Sequence, residues 1–158
     1  MISKLRLKTA VERLPYAVGR TLVHVPFSMR LGRTYPDMQG LMQQFAGMDG
    51  KAKEQWILGS LQSIVRQAYT TIPFYKHHYD RVRYDPDRLT TLRHFAEVPI
   101  VTKADLRGFS VERRSTGLPG RMRVNTGGTS GEPLEFFLDR KAFAREWAHM
   151  HWIWRHAG

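Results

Sequence analysis

Cysteine is absent from the 158 residues. That excludes a disulfide framework, a thiolate nucleophile and any cysteine-ligated metal. Long apolar runs are absent as well. Near the N-terminus the longest uncharged stretch, Thr21 to Met29, falls far short of the roughly 20 residues a membrane span needs, and it contains His24 and Pro26. A secretory leader is not expected, because Lys4, Arg6, Lys8, Arg13 and Arg20 are scattered through the segment and no clean apolar core or small-residue cleavage site follows. Carboxylates are scarce. Against 25 Lys and Arg there are 14 Asp and Glu, for a net charge of +11. Such a balance suits nucleic acid, an anionic membrane face or an anionic ligand such as ATP. The deficit is sharpest in residues 1–35, where seven Lys and Arg face Glu12 alone. No repeat or low-complexity segment is present. What remains, 42% hydrophobic and 11% aromatic, is enough for one core of ordinary size. A cytoplasmic location is the natural expectation, with residues 1–35 able to touch the inner face of an anionic membrane.

Taken in order, residues 1–50 read as a basic lead segment and 51–158 as the main body. Residues 4–14 fit a short basic amphipathic helix ended by Pro15. Val25 to Gly32 reads as irregular, and Tyr35 to Phe45 as helical, closed by Gly47 and Gly50. Lys51 to Thr71 is the clearest helix: Trp56, Ile57, Leu61, Ile64, Val65 and Ala68 recur at helical spacing as a core face, and Pro73 stops it. A turn and short helix follow over Pro73 to Tyr79. There, adjacent His77 and His78 diverge, as exposed residues rather than metal ligands. Asp85-Pro86 marks a turn, Glu97 to Thr102 an extended piece, and Thr102 with Asp105 a capped helix to Arg107. Residues 108–120 are a loop. At the end, Asp139 can cap a helix from Arg140 to His156. Its face of Phe143, Trp147, Met150 and Trp154 suits packing better than base stacking. His149, His151 and His156 are too dispersed on that helix for a metal site.

The chemistry concentrates at Asn125 to Leu134, Asn-Thr-Gly-Gly-Thr-Ser-Gly-Glu-Pro-Leu. Short strands are expected on either side, at Arg121 to Val124 and Leu134 to Leu138. Glycines let several N–H groups converge on one anion, and Thr126, Thr129 and Ser130 add hydroxyl donors. That layout suits polyphosphate. The common phosphate motifs are nevertheless missing. Glu132 stands where a Walker loop needs lysine, and a strand rather than a helix follows, unlike a dinucleotide fingerprint. Glu132 also breaks the glycine pattern of a nucleophile elbow. The residues alone leave a plain hairpin turn open.

Thr126 to Pro133 resembles the phosphate loop of the adenylate-forming superfamily, the acyl-CoA synthetases and their relatives. Gly128, Thr129, Ser130, Gly131 and Pro133 match that pattern position by position. Gly127 stands where a hydroxyl residue is usual, and Leu134 where most members carry lysine. The lost lysine is shared by the phenylacetate–CoA ligase-like branch, including its capsular-polysaccharide-biosynthesis members. Three further landmarks of that branch occur in order: Pro26 to Gly32, Ala68 to Tyr75 and Pro99 to Arg107.

The resemblance implies a mixed α/β fold, with a helical N-terminal region followed by the start of an adenylate-forming N-terminal domain that is incomplete after the helix beyond the loop. It implies that Thr126, Gly127, Gly128, Thr129, Ser130 and Gly131 bind the phosphates of ATP, with Mg²⁺. The reaction would join a carboxylic acid to AMP and then pass the acyl group to CoA or another acceptor. No residue is assigned to catalysis, and no metal ligand is assigned. The family's adenine, ribose and acyl pockets lie downstream of the matched part, so residues 1–158 are expected to be inactive alone. The competing reading is a non-catalytic basic module on nucleic acid or an anionic membrane. Nucleic acid is not expected as a partner, because no helix-turn-helix or RNA-binding aromatic pair can be placed.

Overall fold

The computed structural model describes residues 24–127 and 133–157. The expected helix over 4–14 lies outside them. The architecture is mixed and mostly helical, with one small antiparallel sheet. Its elements are α1 (Phe27–Leu31), α2 (Thr34–Gly47), α3 (Gly50–Thr71), α4 (Pro73–Arg81), 3₁₀ turns at Pro86–Arg88 and Leu92–Glu97, α5 (Lys103–Arg107), β1 (Met122–Asn125), β2 (Glu135–Leu138) and α6 (Ala142–Ala157). Among the described residues no helix is long and apolar enough to cross a membrane. The chain divides into two compact units, one from residues 24–42 with 143–157, the other from 43–142.

In the first unit an aromatic cluster joins α1, α2 and α6. Phe27 stacks on Tyr35 with ring centroids 5.8 Å apart and meets the edge of His151 at 4.3 Å. Gln39 donates to the Tyr35 hydroxyl at 2.8 Å. The hydroxyl also hydrogen-bonds His151 Nδ1, 2.7 Å away. Helix α1 falls where an irregular stretch was expected. Pro26 and Gly32 bracket it rather than break it. The Pro26 carbonyl accepts from Met29 and Arg30, and Gly32 leaves the helix at φ 73°. Helix α6 begins two residues later than its Asp139 cap suggested, because Lys141 and Ala142 N–H groups are taken by Asp139 in a preceding turn.

The second unit is built on α3 and α4. Asp49 caps α3 by accepting from Ala52 N–H at 2.7 Å. Ile72, extended as residues before proline are, ends it, and Pro73 opens α4 at a position where no N–H is needed. Val65, Tyr79 and Leu89 form the buried centre, with Leu58, Leu61, Tyr69, Tyr75, Tyr84 and Val98 packed around it. The expected core face of α3 is corrected here. Val65 is buried, but Trp56, Ile57 and Ile64 are exposed. Apolar residues run round much of this helix, and only one side meets α4 and the Pro86–Arg88 turn. Gln62 reaches across to the Leu89 carbonyl at 2.8 Å. Burial, with Tyr75 and Tyr84 nearby, pushes the Tyr79 phenol up to about 12.

His78 is a further correction. It was expected to be exposed, and it is buried. Phe74 stacks on it at 5.6 Å, and Nε2 donates to the Ile100 carbonyl at 3.0 Å. His77, one residue earlier, is exposed. Among the described residues the piece from Val98 to Thr102 pairs with no strand. It supplies that Ile100 carbonyl and then the capping box of α5. The Thr102 side chain accepts from Asp105 N–H while the Asp105 carboxylate accepts from Thr102 N–H. Those Thr102 bonds hold the Asp105 carboxyl below the usual carboxylate range.

Candidate functional site

The two expected strands form and pair with each other. β1 and β2 are antiparallel, with Met122 opposite Leu138, Arg123 opposite Phe137, Val124 opposite Phe136 and Asn125 opposite Glu135. β-branched and aromatic residues at Val124, Phe136 and Phe137 suit a half-buried ribbon. The pairing extends one step further. Thr126 N–H donates to the Leu134 carbonyl at 3.0 Å. Leu134 N–H donates in return to Thr126 Oγ1 at 2.9 Å. A side-chain hydroxyl thus closes the hairpin where a backbone carbonyl would ordinarily do so.

Of the residues assigned from sequence to phosphate binding, Thr126 sits at this closing pair and Gly127 follows it, both exposed. Gly128, Thr129, Ser130 and Gly131 lie outside the described residues. The Thr126 hydroxyl spends a lone pair on Leu134 and keeps its proton for donation. The hairpin is therefore closed at the base of the loop by backbone and side-chain bonds.

Arginines gather around this hairpin, and the sequence reading did not single them out. Arg123 on β1 forms an ion pair with Glu135 on β2, across the diagonal of the ribbon. Glu135 in turn pushes the Arg123 guanidinium up. Arg121 lies over the Phe137 ring, 3.8 Å from its centroid. Arg114 donates to the Phe109 carbonyl at 3.0 Å and to the Glu135 carbonyl at 2.7 Å, tying the preceding loop to β2. Arg140 donates to the Gly120 carbonyl at 3.1 Å. Gly120 has φ 70°, and a Cβ there would strike the Arg140 guanidinium, so this approach needs glycine. Glu112 is held below its ordinary range by a bond from its own backbone, then by Ser110 and the nearby Arg123 and Arg121. A cavity of about 200 Å³ runs beside the ribbon, lined by Arg114, Thr116, Arg121, Phe137 and Asp139 among others. Nothing in the sequence marked Arg114, because its link to β2 crosses 21 residues and ends on a backbone carbonyl.

Chemically, a segment rich in glycine and hydroxyl residues joined to an arginine-rich ribbon offers donors and positive potential to an anion. Among the described residues no group of three His, Asp or Glu side chains is placed to hold a metal. On α6, His149 and His156 each bond a carbonyl one turn back, at 2.8 Å, and His151 is engaged with Tyr35. No protein-family model, curated protein or solved structure matches the chain.

Proposed function

We propose that the hairpin is the phosphate-binding element of an ATP-dependent, adenylate-forming ligase resembling the phenylacetate–CoA ligases, with Thr126, Gly127, Gly128, Thr129, Ser130 and Gly131 around the β- and γ-phosphates. The observation that carries this reading is the closure of the loop at Thr126 and Leu134 between two paired strands. It agrees with the match of Thr126 to Pro133 to the family's loop. Backbone donors and hydroxyls fix phosphate oxygens without bulk, and the surrounding arginines raise the local concentration of anions. Mg²⁺ would arrive with the phosphates, neutralising their charge, as it is commonly bound through substrate phosphates rather than protein cages. The substrate would be a carboxylic acid, with CoA or another acceptor for the acyl group and a place in capsular or exopolysaccharide synthesis. Residues 1–35 would contribute weak contact with an anionic membrane face. Acyl-adenylate formation by residues 1–158 alone is not expected. In-line attack needs the α-phosphate and a carboxylate held about 3–3.5 Å apart, and the loop positions only the far end of ATP.

A loop that grips the β- and γ-phosphates must distinguish ATP from AMP, which lacks both. Isothermal titration of the chain with each nucleotide in Mg²⁺ should show ATP binding at least about tenfold more tightly, the worth of one charge-assisted hydrogen bond. Equal affinities would remove the assignment.

A further inference from the structure

The second unit holds a larger cavity, of about 510 Å³, which uses none of the hairpin residues. Three arginines line it, Arg81, Arg83 and Arg88, with His78, Glu97 and Asp105 among the other wall residues. The two carboxylates only partly occupy the arginines. Arg81 approaches Asp105 at 3.7 Å and Arg88 approaches Glu97 at 3.6 Å, both too long for hydrogen bonds. Asp105 is already committed to Thr102, whose hydroxyl donates to it at 2.6 Å. Arg83 makes no ion pair among the described residues. Among the lining residues three guanidinium groups face two carboxylates, an excess of one positive charge, and most guanidinium N–H groups remain available.

The buried His78 helps to place one of these arginines. Its Nε2 must carry the proton given to the Ile100 carbonyl, so its Nδ1 presents a lone pair. Arg81 Nη2 lies 3.4 Å from that nitrogen, and as a permanent donor it is held there. Tyr84 also lines the cavity, its ring packed on the core and its hydroxyl buried with no hydrogen-bond partner among the described residues.

The backbone at Arg83 points the same way. Among the described residues it alone, apart from glycines, has positive φ, at 55°. Tyr84 N–H donates to the Tyr79 carbonyl at 3.0 Å, and Arg83 N–H to the Asp80 carbonyl at 3.1 Å. These two bonds make the C-terminal cap of α4, in which Arg83 occupies the left-handed position that glycine ordinarily fills. Arginine is disfavoured there by its Cβ. The helix cap therefore gains nothing from arginine, whereas the cavity gains a guanidinium. Strain of this kind, where a less strained residue would serve the fold, clusters at functional sites.

We infer that this cavity is a binding site for a phosphoryl group on a small ligand, held by Arg81, Arg83 and Arg88. The group is a phosphoryl rather than a carboxylate because three arginines line the one cavity. One arginine can serve both oxygens of a carboxylate, whereas a tetrahedral dianion has oxygens to offer several donors. The site is separate from the hairpin loop and does not depend on the nucleotide reading.

The experiment is a thermal-melting titration of the 158-residue chain with inorganic phosphate, against sodium chloride at equal ionic strength and against acetate. Phosphate should raise the melting temperature, and chloride and acetate should not. Arg83→Gly should bind phosphate at least about tenfold more weakly, while melting at or above the wild-type temperature without phosphate, because glycine relieves the left-handed strain. A stabilised variant that loses its ligand is not the signature of a structural arginine. Arg88→Gln supplies an independent variant, expected to lose affinity similarly. Arg33→Gln, which removes an exposed arginine just before α2 in the first unit, should keep it. Phosphate without effect beyond chloride, acetate as effective as phosphate, or wild-type affinity in both arginine variants would each overturn the inference.

Discussion

Replacing Phe74 with alanine is expected to destabilise the second unit by about 3–5 kcal/mol, the usual cost of deleting a buried phenyl ring and leaving a cavity. The residue is 1% exposed. Its ring meets Tyr75 edge-on at 5.1 Å and Phe109 at 5.2 Å, and it stacks on His78. None of these neighbours can collapse inwards cheaply. Tyr75 packs on the core around Val65, and His78 is fixed by the Ile100 carbonyl. Phe74 also ties the start of α4 to the 109–114 segment, since its N–H donates to the Arg113 carbonyl at 2.9 Å. The next residue, Arg114, reaches the Glu135 carbonyl on β2. Loss of the ring should therefore loosen the hairpin as well as lower the melting temperature. At this chain length the fall should be roughly 10 °C. Hydrogen exchange at β1 and β2 should accelerate with it. Phe74→Leu, which retains much of the volume, should recover most of the loss. A melting temperature unchanged in Phe74→Ala would mean that the packing described around this ring is wrong.

The second large effect belongs to the loop. In the proposed nucleotide complex, Thr129 and Ser130 each donate a hydroxyl proton to a charged phosphate oxygen, and each such bond is worth about 1.5–3 kcal/mol. Removing both in Thr129→Ala/Ser130→Ala should weaken ATP binding by roughly two to four orders of magnitude. AMP should be almost unaffected, because it lacks the phosphates these hydroxyls would meet. The hairpin itself should stay closed. Its base is made by Asn125, Thr126, Leu134 and Glu135, and neither substituted residue belongs to it. ATP affinity unchanged in the double variant would sink the placement of the phosphates.

The local signals in the chain translated well where a single segment decides the outcome. Helix α3 needs only its apolar spacing and the stop at Pro73. The capping box of α5 is complete within Thr102 and Asp105. The hairpin follows from two short apolar runs around a glycine-rich turn, and its strands pair in register with each other. What depended on distant chain was less visible. His77 and His78 look alike in sequence, yet only His78 is covered, by Phe74 and the Ile100 carbonyl. Trp56, Ile57 and Ile64 belong to an apolar circumference, and which part is buried depends on where α4 and the Pro86–Arg88 turn dock. The arginine cavity was illegible for the same reason. Arg81, Arg83 and Arg88 are spread over a helix end and a 3₁₀ turn, and nothing in their spacing announces that they share a wall. On α6, Phe143, Trp147, Met150 and Trp154 do fall as a set, and all four remain substantially exposed.

The most direct measurement is residue-resolved: a titration of the isotope-labelled chain with Mg²⁺ and ATP, followed by amide chemical shifts. If the hairpin loop holds the phosphates, the largest and saturable shifts fall on Asn125 to Glu135, and AMP at the same concentration does not reproduce them. Absence of saturable shifts there, or shifts of the same size with AMP, would contradict the phosphate-loop reading.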